Sequence, residues 1–325
     1  MKNRMKIITL LSLVAIGLKL SAQIDPKIRA KPDDLKMLQG RTVIVEVEEE
    51  DARVVAKLSK KEKDADRLQE YRDFIANNNT MLKNAVDKYW KFNSSIEYKT
   101  TTELQDIKGK SKDYVIISFE SIWSEGRSTF CVPEIWYNRS EGKDGPDCMI
   151  FLPPSSIPEK ETDPTMWSYV QADYDFAIEQ MQAYIKYMIT TDKRIYFADY
   201  AKKMTETNCS QIKNGTLVID KDQLGEGVDK DAIKSEYKGP FVITDQKAYS
   251  NAFENQEQGK EVVFSFPYDI LGGITGYNLM FAKIVVDCST ANIVFYYRGE
   301  SMGVNYPYYD IRKQVFDYME RCVSK

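Results

Sequence analysis

In RTVIVEVEE, Val43, Val45 and Val47 alternate with other residues, and this two-residue period predicts a strand. The stretch DADRLQEYRDFIANNNTMLKNAVDKYW changes to a helical period. Leu68, Tyr71 and Ile75 fall on one face, and Leu82, Val86, Tyr89 and Trp90 fall on one face again. Asn77-Asn78-Asn79 lowers helix propensity in the middle. The expectation is either two helices, the second capped by Asn79 or Thr80, or one long helix with a weak point. A short strand around Ile96, a brief helix or turn over 102–107 and the buried strand DYVIISFES follow. TFCVPEIWY and CMIFLPP then read as added antiparallel strands. From about Pro164, Trp167, Val170, Tyr174, Ile178, Met181, Ile185 and Met188 recur at steps of three and four, so a long helix should lay one face on a sheet.

Beyond the polar stretch TETNCSQIKNG the same order starts again. GTLVIDKDQL is a strand, DKDAIKSEY a helix, PFVITD a strand, QKAYSNAFENQ a helix and EVVFSFPYDI a strand. YNLMFAKIVVDCSTANIVFYYRG reads as a hairpin, and YPYYDIRKQVFDYMERC closes the chain as a helix with Tyr308, Ile311, Val315 and Met319 on one face. At a shift of 147 residues the central part of the two sets aligns without a gap, matching Ala85-Val86 to Ala232-Ile233, Trp90 to Tyr237, Ile96 to Ile243 and Val115-Ile116 to Val262-Val263, while the longer first helix region of the first set requires a large insertion. The expected fold class is therefore α/β, with two related lobes, each a mixed β-sheet covered by helices, and a possible internal duplication. The expected boundaries are a signal peptide over 1–22, a first lobe over 23–205 and a second over 206–325.

The leader sets the address. Lys2, Arg4 and Lys6 precede an apolar run from Ile7 to Leu18, and Leu20-Ser21-Ala22 supplies small residues for cleavage. That run is too short to span a bilayer, and no later run is long enough, so the mature chain should lack a transmembrane segment. The whole chain carries 45 basic and 49 acidic side chains; without the leader, which holds four of the bases and no acid, the net charge is −8. Such a surface disfavours nucleic acid as a partner.

The most restrictive count is histidine: there is none. Serine–histidine–aspartate triads, cysteine–histidine pairs and histidine-bound zinc are excluded. Catalysis would have to rest on carboxylates, lysine, tyrosine or a metal held by oxygens. The acid pair Asp173 and Asp175 suits a solvated helix face better than a substrate site. DKDQLGEGVDKD places Asp220, Asp222 and Asp231 at intervals that echo a calcium loop, with Leu224 where a ligand is wanted and Asp where the last Glu should be. The competing assignment makes Asp229 the cap of a helix starting near Asp231. LGGITGYN is followed by a strand rather than a helix, so it lacks what a phosphate loop requires, and no cofactor is expected. Of the five cysteines, Cys131 and Cys148 lie on neighbouring predicted strands and are candidates for a disulfide; an odd count leaves at least one thiol free.

The leader ending in SAQ, the KYWKF helix end followed by a strand, and YKGPFVITDQKAYSNAF resemble uncharacterised exported proteins of Bacteroidota bacteria. The resemblance implies a periplasmic location, with secretion as the alternative. Each half is also similar, by element order, to the amino-terminal α/β module of periplasmic TolB-like proteins. The function expected is a non-catalytic binding or scaffolding protein of the envelope with a protein or glycan partner. The alternative is a histidine-free hydrolase using carboxylates or an oxygen-ligand metal site.

Overall fold

The structure is a computed structural model that describes residues 31–60, 65–105, 107, 114–124, 127–137, 146–149, 169–273, 276–298 and 310–324, with backbone alone over 118–124, 127–137, 146–149, 267–273, 276–280 and at 323. The first part runs α1 (Pro32–Lys36), β1 (Thr42–Val47), α2 (Ala52–Leu58), α3 (Ala65–Tyr89), β2 (Ile96–Thr100), α4 (Thr101–Gln105), β3 (Tyr114–Ser124), β4 (Arg127–Tyr137), β5 (Pro146–Met149) and α5 (Gln171–Thr191). It continues through α6 (Phe197–Asn208), β6 (Thr216–Asp220), α7 (Lys230–Glu236), β7 (Phe241–Thr244), α8 (Gln246–Glu254), β8 (Lys260–Gly273), β9 (Gly276–Asp287), β10 (Ile293–Arg298) and α9 (Lys313–Val323).

The strands form two mixed sheets, as an α/β chain should, ordered β2-β1-β3-β4-β5 and β7-β6-β8-β9-β10. In each, the first strand lies between the next two and is parallel to both. The last three run antiparallel to one another. The two sheets thus share strand order and strand sense.

They also share one interior. Val43, Val45, Val115 and Ile117 of the first sheet and Val218, Val262, Phe264, Phe266 and Ile284 of the second belong to a single buried cluster with α3, α5, α6 and α8. The alternate residues point outward: Leu217, Ile219, Val263 and Val285 pack under α7 and α9, and Ile44 and Ile116 pack under Leu104 of α4. The first crossover helix of sheet one, α3, lies inside, whereas its counterpart α7 lies outside. The two sheets are therefore stacked front to back. This geometry corrects the ungapped alignment. Ile96 and Ile243 both face the first crossover helix, but Val115 faces α3 while Val262 faces α8. A slip of one residue before β3 and β8 restores equivalent faces, because one residue turns every strand side chain over.

Of the two alternatives for the first helical region, the single long helix is the one formed: α3 is unbroken through Asn77-Asn78-Asn79. Asn78 is buried, and the Asn79 amide donates to the Glu48 carbonyl and accepts from the Glu48 N–H, both at 2.9 Å, so it fastens the end of β1 instead of capping a helix. α5 is buried nearly all round rather than on one face, and Asp173, Asp175, Gln180 and Gln182 are buried with its apolar residues. Its polar positions satisfy chain ends on both sides: Gln182 binds the Lys91 N–H and the Tyr89 carbonyl, and Gln180 donates to the Ala291 carbonyl. Lying between two sheets requires this of a helix. Residues 151–168, which include the expected helix start at Pro164 and Trp167, are outside those described, as is Tyr308.

Candidate functional site

In an open sheet with order 2-1-3, ligands bind beyond the carboxyl ends of the strands, where the chain leaves the central strand in opposite directions. In the second sheet that place is the end of β6 and the neighbouring part of β8. β6 stops at Asp220 because the chain turns into a 3-10 segment, Lys221–Gln223, whose first N–H groups need an acceptor. Asp220 supplies it, accepting from the Asp222 N–H at 3.1 Å. Its side chain is buried, which pushes the carboxyl up to about 6.

The polypeptide next meets residues 310–312, which run beside it in parallel. The Ile311 N–H donates to the Gln223 carbonyl at 2.7 Å, and the Gly225 N–H donates to the Ile311 carbonyl at 3.1 Å. A Cβ on Gly225 would stand 3.3 Å from Asp310 Cβ, so glycine permits the close approach. Asp229 then caps α7, accepting from the N–H groups of Asp231 and Ala232 at 3.0 and 2.8 Å, as the capping assignment expects. Between this loop and the start of α9 lies a cleft of about 640 Å³. Its walls carry Glu226, Asp310, Arg312, Gln314 and Asp317, and a Glu236–Lys313 ion pair of 2.8 Å closes one side.

Behind the 310–312 strip lies a buried polar trio. Ser265 of β8 and Lys283 of β9 are directly opposite in the ladder. The lysine Nζ donates to Ser265 Oγ at 2.8 Å, and Ser265 donates to Gln223 Oε1 at 3.3 Å. Lys283 is 3 % exposed, and Ser265 and Gln223 are buried as fully. Burial pushes the amine down to about 7; Arg312 adds to the effect and Asp310 opposes it. Gln223 therefore joins two things: its side chain meets the Lys283–Ser265 pair, and its carbonyl holds the wall of the cleft.

The candidates from sequence are distributed as follows. Asp222 and Asp231 are exposed and Asp220 is buried, and no three carboxylate or thiol groups among the described residues are placed to hold a metal ion. Asp173 and Asp175 are buried rather than solvated: Asp173 accepts from the Val170 N–H, while Asp175 faces Gln171 and Lys88. β4 and β5 pair as a hairpin expects, with Cys148 opposite Ile135; Cys131 stands opposite Ser121 of β3. The side chains of both cysteines lie outside those described. A disulfide joins Cys209, just past α6, to Cys322 in α9, across 113 residues, and Cys288 is a buried free thiol. Gly272, Gly273 and Gly276 of LGGITGYN form the β8–β9 end of a hairpin.

Ser265 and Lys283 carry no motif, since their contact depends on strand register. One signal was available: Lys283 interrupts the apolar run MFAKIVV, and a lysine inside a buried strand must find a polar partner. No family model, curated protein or solved structure matches the chain.

Proposed function

We propose that the protein is an exported envelope protein that binds a small polar ligand, or the polar end of a larger partner, in the cleft between the loop after β6 and the start of α9. The observation that carries this reading is the cleft itself, walled by the glycine-bearing loop that follows β6 and by the first turn of α9. Acidic and basic side chains both line it, which suits a ligand bearing amine, carboxylate and hydroxyl groups, as short peptides and peptide-bearing glycans of the envelope do. Export is supported by the leader and by the Cys209–Cys322 disulfide, which belongs to oxidising compartments. The resemblance to exported Bacteroidota proteins and to TolB-type modules agrees with the same address. The matching strand order and sense of the two sheets support descent by internal duplication, with the cleft a specialisation of the second copy.

A thermal-shift titration tests this with short peptides and with muropeptides at millimolar concentration. Midpoints should rise for the wild-type chain and stay fixed for Gln314→Trp, whose indole would fill the cleft. If neither ligand class moves the wild-type midpoint, or if the variant responds equally, the cleft is not the binding site.

A further inference from the structure

The charges lining the cleft do not balance. Its described walls carry four acids, Glu226, Glu236, Asp310 and Asp317, against two bases, Arg312 and Lys313. Two of the acids are already answered. Glu236 holds Lys313 at 2.8 Å, and Asp317 accepts two hydrogen bonds from the guanidinium of Arg321, one turn further along α9, at 3.1 and 2.6 Å. Asp310 and Arg312 lie on either side of the buried Ile311 and so share the face of the strip that meets Gly225. A Cβ on Gly225 would stand 3.3 Å from Asp310 Cβ and 3.7 Å from Arg312 Cγ. Among the described residues no ion pair joins Asp310 or Glu226 to a basic side chain. Even with Arg312 set against Asp310, Glu226 stays in excess, and the described walls keep negative charge.

We propose that the cleft selects its ligand by a primary ammonium group, as on the side chain of lysine or another diamino acid in a short peptide, and that Asp310 receives it. An ammonium is compact and donates three N–H groups, so one carboxylate with a second acid nearby satisfies it. A metal ion needs more ligands, and no three carboxylate or thiol groups among the described residues are placed to hold one. An anionic group would meet the excess acid and is disfavoured. Of the two acids, Asp310 is half-buried and Glu226 exposed, and a charge pair screened less by water is the stronger. Gly225 puts no side chain against Asp310, which leaves that carboxylate open to a ligand. The selection rests on the cleft being the binding site, and narrows what the cleft binds.

The test is isothermal titration of the full chain with the tripeptide Ala-Lys-Ala, blocked at its amino terminus, and with the same peptide acetylated on the lysine side chain. The wild type should bind the free amine about tenfold more tightly, and added salt should shrink the difference. Asp310→Asn should bind the two peptides equally, and as weakly as the wild type binds the acetylated one. Equal affinities in the wild type, or a preference kept in Asp310→Asn, overturn the ammonium assignment and leave the cleft as a binding site. Calcium at matched ionic strength should not displace the free-amine peptide; displacement would mark a metal site and also overturn the assignment. Should Asp310→Asn fail to fold, Glu226→Gln, at an exposed position, takes its place; it should narrow the preference, and an unchanged preference overturns the assignment. If neither peptide binds the wild type, the ammonium assignment falls, and the muropeptide titration with Gln314→Trp decides the cleft separately.

Discussion

Two buried ionisable groups in the second sheet give opposite contributions to stability as pH changes. Lys283 is held near 7 in the folded chain against 10.5 for a free lysine, so between those values the unfolded chain binds the extra proton. Its contribution therefore makes stability rise with pH from about 7 to about 10. Lys283→Met should flatten that rise in urea midpoints, with a gain at pH 7 on the order of a few kcal/mol; an unchanged slope would show that the amine is not held neutral. Glu261 is the converse case. Burial, reinforced by Asp287, pushes its carboxyl up to about 8, and one of its oxygens is buried without a hydrogen-bond partner. The folded chain holds that proton more tightly, so stability should fall as pH rises from about 4.5 to about 8. Glu261→Gln should abolish this fall and be more stable than wild type at pH 8; equal pH profiles would refute the assignment. Lys283 could be noticed only as a break in the apolar run MFAKIVV, and the burial of Glu261 left no such trace, because burial of a charge depends on which neighbours a strand acquires. Asp229 was legible as a cap, since capping is decided within four residues.

At the scale of elements, most strands and helices could be read from periodicity, and the failures share a cause. Local propensity left a break at Asn77-Asn78-Asn79 or one long helix open, and a pair of hydrogen bonds between Asn79 and Glu48, which joins α3 to β1, supports the long helix. Asn79→Ala should cost about 1–2 kcal/mol in chemical unfolding, whereas Asn77→Ala, at an exposed position, should cost nothing or stabilise. The disulfide was illegible for a similar reason. Cys209 and Cys322 lie 113 residues apart, and only the packing of α9 beside the segment after α6 brings their Cα atoms to 6.0 Å. Replacing both by alanine should destabilise the chain by about 2–5 kcal/mol and expose α9 to proteolysis before the rest. Equal protease resistance with and without reductant would contradict this.

At the scale of the whole molecule, the expectation of two lobes needs refinement. Two sheets exist, but their inner faces enclose a common layer of helices, with Phe176 of α5 packed 4.4 Å, centroid to centroid, from Phe264 of β8. Calorimetry should therefore show one cooperative transition, and residues 206–325 expressed alone should not fold, because Phe264 and Phe266 would lose α5. The ungapped match between the halves revealed this architecture only in part, since shared core positions fix strand order but not which face turns inward. The proposed function rests on what the second sheet has and the alignment does not show: the Gly225 loop and the 310–312 strip. The most direct test is an amide NMR titration of the full chain with muropeptides and short peptides. The account predicts shifts centred on Gly225, Gly227, Val228 and Gln314. Shifts confined to the first sheet, or none at millimolar ligand, would contradict it.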